Sequence, residues 1–205
     1  MEPKNYQEDL MHIRKMMERS SRFLSLSGLS GVFAGFTALL GAAYAFYVFN
    51  REEISYFDLE RNRYNSSMIT ELFWVGLVVL VVAVACGYFF TKRKSVKNSQ
   101  PIWDATAKQL LVHFATPLVV GGVVSLALIY HHLYVFIAPM MLIFYGLALV
   151  NAEKYTVTDV RYLGYCEIIL GLICFFVLGW GLLFWAIGFG VLHIIYGLIM
   201  HKKYK

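Results

Sequence analysis

The chain reads as an all-α membrane protein, a bundle of six transmembrane helices with an N-terminal cytoplasmic amphipathic helix, and three observations lead there. Of its 205 residues, 59% are hydrophobic and only 15% charged, whereas a soluble domain carries roughly a quarter charged residues. The apolar residues fall in blocks of about twenty, the length that crosses a hydrocarbon layer of about 30 Å as a helix. The lysines and arginines gather in alternate connections between those blocks. With a mean hydropathy of +0.61, the chain suits lipid as its solvent.

The blocks span about 28–49, 72–90, 110–130, 133–150, 160–178 and 182–200. Backbone polar groups cannot stay unpaired in hydrocarbon, so each block is expected to be a helix. The alternation of a membrane β-strand is absent. Pro117 and Pro139 are expected to kink the third and fourth spans, which bundles tolerate.

Orientation follows from the basic residues. Segment 1–27 holds Lys4, Arg14, Lys15, Arg19 and Arg22, and the second connection holds Lys92, Arg93, Lys94, Lys97 and Lys108. The fourth connection adds Lys154 and Arg161, and the tail adds Lys202, Lys203 and Lys205. Only Arg51, Arg61 and Arg63 fall on the other side, so fifteen basic residues oppose three. The positive-inside rule puts the rich side, with both termini, in the cytoplasm. This placement also accounts for the net charge of +5 without nucleic acid, for which no basic stripe with interleaved aromatics exists. Ala43-Tyr44-Ala45 mimics a signal-peptidase site, but the apolar run continues past it, and the segment is expected to stay.

The chain divides into a cytoplasmic segment, 1–27, and a membrane domain, 28–205. In the first, Tyr6, Leu10, Ile13, Met17 and Leu24 share one helical face while Glu8, Asp9, Arg14, Lys15, Glu18 and Arg22 lie mostly off it. Such a helix packs on the cytoplasmic ends of the bundle, lies on the leaflet or pairs with a partner. Ile54, Phe57 and Tyr64 suggest a short interfacial helix in the 50–71 loop. Tyr145-Gly146-Leu147 recurs as Tyr196-Gly197-Leu198 at the cytoplasmic ends of spans four and six, the mark of a parallel hairpin repeat.

Glu167 is the one acidic residue well inside a span, about 6 Å beyond its apolar start by helical rise. A charge there needs protein or water and a partner. Gly164, Glu167, Gly171 and Cys174 form one stripe, and Ala186, Gly190, His193 and Gly197 form another on the sixth span. Trp180, in the turn between these spans, is thirteen residues from both Glu167 and His193. The two side chains therefore share a depth, and a Glu167–His193 contact is expected, with Gly171 near Gly190 and Gly164 near Gly197. Such a pair is either a structural interhelical bond or a titratable dyad serving as proton relay or polar substrate site. In the first span, Ser27, Gly31, Gly35, Ala38 and Ala42 line a face that packs on a helix, preferentially of the same chain.

The remaining polar groups read as ordinary. Cys86, Cys166 and Cys174 lie in apolar blocks without metal spacing and read as inert packing groups. His113, His131 and His132 sit near span ends, where interfacial placement explains them. No metal or cofactor is expected. No nucleophile elbow, His-Glu-x-x-His or phosphate loop is present, so an enzyme is unsupported.

The stretches 25–31, 161–167 and 188–197, which include Ser27, Gly31, Gly164, Glu167, Gly190, His193 and Gly197, resemble an uncharacterised family of multi-pass integral membrane proteins of Bacteroidota. The resemblance covers most of the chain beyond residue 10. It implies a bacterial inner membrane and adds nothing about activity. The expected function is that of a membrane-embedded interaction or regulatory protein, with the bilayer as its setting and a protein partner or second copy as its ligand. The alternative is a small-solute or proton-coupled transporter or channel using Glu167 and His193.

Overall fold

The computed structural model of the chain describes residues 28–54, 64–97 and 103–203, and among these all regular structure is helical. The helices are α1 (Gly28–Arg51), α2 (Ser66–Lys97), α3 (Ala105–Tyr130), α4 (Tyr134–Tyr155), α5 (Val160–Phe176) and α6 (Leu178–Lys203). Five of them, all but α5, are long and apolar enough to cross a bilayer. The shorter α5 has 17 residues. The amphipathic helix expected over 1–27 lies outside the described residues, as does most of the α1–α2 connection.

The helices overrun their apolar blocks where solvated residues continue the helical pattern. α2 runs through Lys92, Arg93 and Lys94 to Lys97, and α3 starts at Ala105. There the Asp104 side chain accepts from the Ala107 N–H at 2.6 Å, satisfying an amide that no helical carbonyl reaches. After α3 the chain reverses through His132, whose φ of 57° lies in the left-handed region.

α1 lies between α2 and α6, and α4 lies between α3 and α5. The first half of α6 also rests on α4, which joins the two groups. α2 packs mainly on α1 and α3 mainly on α4, so these two form the edges. Phe33 of α1 stacks on Phe90 of α2 at 4.9 Å between ring centroids. At the end away from the lysines, Arg51 bridges to Glu71 at 2.6 Å, and the Tyr44 hydroxyl donates to the same carboxylate at 2.7 Å. At the basic end, Lys203 pairs with Asp159 at 2.7 Å and Arg161 with Glu153 at 3.3 Å.

The glycine stripes make the closest helix crossings, but with other partners than the sequence suggested. A Cβ added to Gly146 would lie 2.6 Å from the Gly164 carbonyl oxygen, and one on Gly164 would lie 2.8 Å from that of Gly146. Seven residues along, Gly171 faces the Pro139 carbonyl and Ile143, so both α5 glycines serve the α4–α5 contact. On the other side, Gly197 meets Gly28 and Val32, Gly31 meets Gly197, and Gly35 and Gly190 face each other across α1–α6. The expected pairs Gly171–Gly190 and Gly164–Gly197 do not form. The Glu167 carboxylate and the His193 imidazole occupy the space between α5 and α6, so these backbones approach other helices instead. The two crossings share one plan, antiparallel with glycine contacts seven residues apart, and Gly146 and Gly197 of the repeated Tyr-Gly-Leu hold equivalent places.

Candidate functional site

The site lies where α4, α5 and α6 meet. α5 turns Gly164, Glu167, Gly171 and Cys174 inward, and all four are buried. Glu167 has no exposed surface, and His193 retains 6%. His193 Nδ1 is 3.4 Å from Glu167 Oε1. The two residues are thus brought together, but not by a hydrogen bond, because both Glu167 oxygens lack a hydrogen-bond partner among the described residues.

His193 itself is held on both sides. Its Nδ1 lies 2.9 Å from the Gly188 carbonyl oxygen. A carbonyl only accepts, so Nδ1 carries the hydrogen and donates to it. Nε2, 2.7 Å from the Tyr145 oxygen, then accepts from the hydroxyl when the ring is neutral. Phe189 lies nearly parallel to the imidazole at 6.0 Å, and Tyr145, Trp185 and Phe189 close the aromatic wall around it.

A local change of helix type makes this geometry. Residues Ala186–Leu192 are wound as a π-helix between α-helical stretches, a wider coil that occurs chiefly as short insertions at functional sites. Gly188 sits within it. A Cβ on Gly188 would lie 2.5 Å from both Glu167 Oε2 and Leu142 Cδ2, so the carboxylate occupies the space this glycine leaves open.

Sequence reasoning identified Glu167 and His193 but treated Tyr145 only as part of a repeat and passed over Gly188. The signal for Tyr145 was a hydroxyl within an apolar run, on a helix joined to both neighbours by short turns. His113 does more than sit at an interface. Its ring stacks on Tyr155 at 4.7 Å between centroids, and its Nε2 is 3.0 Å from the Tyr155 hydroxyl. His132 Nδ1 lies 2.7 Å from the Tyr134 hydroxyl. Beside it opens a cavity of about 210 Å³ lined by Tyr64, Leu178 and residues 132–136. Glu167 does not line that cavity. Among the described residues no group of three or more His, Cys, Asp or Glu side chains could hold a metal ion.

Comparison of the chain with family models, curated proteins and solved structures found no match.

Proposed function

We propose that the chain is a six-span bacterial inner-membrane protein with both termini in the cytoplasm, acting as a membrane-embedded interaction or regulatory protein. The observation that carries this reading is the openness of the two edge helices. The apolar window of α2 has none of its residues buried and that of α3 only 6%. Gly76 and Gly87 on α2 and Gly122 on α3 would each accept a Cβ with nothing within 4 Å. In lipid, small residues serve close approach between helices, and no described residue of the chain approaches these three. The charge asymmetry supports the topology, and the resemblance to a Bacteroidota family supports the bacterial membrane.

Photo-crosslinking in native membranes tests the reading. A photoreactive residue replacing Val81 or Val84, both exposed on α2, is expected to trap a discrete protein adduct, either a second copy or another membrane protein. Gly76→Leu or Gly87→Leu should weaken that adduct. Adducts with lipid alone, from a protein that runs as a monomer, would reject it.

A second reading, proton-coupled or small-solute transport, is favoured by one observation. The two oxygens of Glu167 are fully buried and, among the described residues, without hydrogen-bond partners, an arrangement that a purely structural bond does not explain. Flux measured in proteoliposomes, lost on Glu167→Gln, would select it over the first.

A further inference from the structure

We infer that Glu167, His193 and Tyr145 form a binding site for one exchangeable proton at the junction of α4, α5 and α6. The inference does not depend on the interaction reading. It deepens the transport reading by naming the cation, and proton binding stands even if no transport occurs.

The argument begins with charge. A bare carboxylate in hydrocarbon costs several kcal/mol unless it is paired or solvated. Among the described residues neither oxygen of Glu167 has a hydrogen-bond partner to stabilise the ionised form. The titratable groups facing it are few. α6 presents His193, and α4 presents Tyr145, with Tyr196 of α6 near enough to influence Tyr145 electrostatically. Cys174 lies two turns further along its own helix, and Gly31 of α1 lies against the His193 backbone. Apart from Glu167–His193 itself, the ion pairs among the described residues that bridge different helices or their caps lie at the bundle ends, at Arg51–Glu71, Arg161–Glu153 and Asp159–Lys203. Among the described residues, no fixed charge of the site therefore balances Glu167.

A single proton does balance it, and it has two places to reside. With the proton on Glu167, the site is a carboxylic acid beside a neutral imidazole. With the proton on Nε2, it is a carboxylate beside an imidazolium. The two forms contain the same atoms and are both neutral overall. Nδ1 cannot receive the proton, because its hydrogen is already committed to the Gly188 carbonyl at 2.9 Å. A proton that reaches the ring is therefore held at Nε2, and the Tyr145 hydroxyl, which donates to the neutral ring, turns to accept from it. In the imidazolium form the Nε2–H donates to the Tyr145 oxygen, and Nδ1–H lies between the Gly188 carbonyl and Glu167 Oε1. Loss of the proton leaves a net negative site, and addition of a second leaves a net positive one.

The experiment is magnetic resonance on the full chain in lipid nanodiscs, with ¹³C-glutamate and ¹⁵N-histidine labels, from about pH 5 to about pH 10, a window spanning ordinary histidine titration. Loss of signals on Glu167→Gln and His193→Gln assigns the two residues. Near neutral pH the pair is expected to hold one proton in total, and its signals should move together as that proton leaves or a second arrives. Gly188→Ala adds no titratable group but pushes on Oε2, and should shift the midpoint by about one pH unit or more, about a tenfold change in proton affinity. A carboxylate beside a neutral imidazole at neutral pH would overturn the proposal. So would signals that stay fixed across the whole window in folded protein. Titration without flux in proteoliposomes would keep the proton site and discard the transport reading.

Discussion

The side-chain amide of Asn151 on α4 donates to the backbone carbonyl of His113 on α3 at 2.8 Å. Pro117 lies four residues after His113, inside α3, and has no N–H with which to complete that helical bond. Asn151 supplies the missing donor from the neighbouring helix, the kind of substitution that lets membrane helices carry proline. Asn151→Leu should leave the carbonyl unsatisfied and lower stability by about 1–3 kcal/mol. Pro117→Ala restores an N–H at the right position and should make the same Asn151 change nearly harmless. A double-mutant cycle read by denaturation in mild detergent checks the coupling. Additive effects would mean that the two residues do not compensate.

The glycine crossings lead to a second contrast. Gly146→Ala places its Cβ 2.6 Å from a backbone carbonyl, which cannot swing away as a flexible side chain does. Helix separation should follow, with a loss of about 1–3 kcal/mol, and Gly197→Ala should behave alike across α1–α6. Gly122→Ala meets nothing within 4 Å, so it should leave the monomer unchanged or gain up to about 1 kcal/mol through helix propensity. Thermal stability of the four proteins in one detergent separates these outcomes. Equal effects at Gly146 and Gly122 would contradict the crossing geometry.

How much of this was legible in the sequence depends on what set each feature. Lipid imposes a length on a crossing segment, so each apolar block coincides with a helix; α1, α2, α3, α4 and α6 run past their blocks, and α5 ends two residues short of its own. The shared depth of Glu167 and His193 followed from equal distances to Trp180, because a tight turn and a fixed rise per residue leave little freedom. Partner choice among glycine stripes did not follow. Any small-residue stripe suits any other, and only the volume of the Glu167 and His193 side chains sends the glycines of α5 toward α4 and those of α6 toward α1. The π-helical winding of 186–192 has no propensity signature, since it arises from tertiary contacts of the finished bundle. Asn151 was hidden because its partner is a backbone group, identifiable only when Pro117 and α4 are seen together.

Topology makes a third prediction. The proposed orientation puts fifteen of the eighteen basic residues on the cytoplasmic side, at the end that carries the ion pairs Lys203–Asp159 and Arg161–Glu153. A cysteine at Glu53, placed in a cysteine-free background, should react with a membrane-impermeant maleimide added to intact spheroplasts. A cysteine at Lys203 should react only after permeabilisation. Labelling of Lys203→Cys in intact spheroplasts would reverse the orientation.

The fourth prediction concerns Tyr145, whose hydroxyl at 2.7 Å is the hydrogen-bond partner of His193 Nε2. Tyr145→Phe keeps the ring, and with it the packing against Phe114 and Phe189, while removing one oxygen. Nε2 then loses its donor in a buried site, so the neutral imidazole loses about 1–3 kcal/mol of stabilisation. The imidazolium form loses a charge-assisted acceptor, a bond roughly twice as strong as a neutral one, so the proton should be driven onto Glu167. In nanodiscs the variant is expected to show a stronger protonated-carboxyl infrared band than the unmodified protein, and Glu167→Gln in the same background should abolish the gain. A folded Tyr145→Phe protein with an unchanged carboxyl band would show that Tyr145 packs against His193 without controlling where the proton resides.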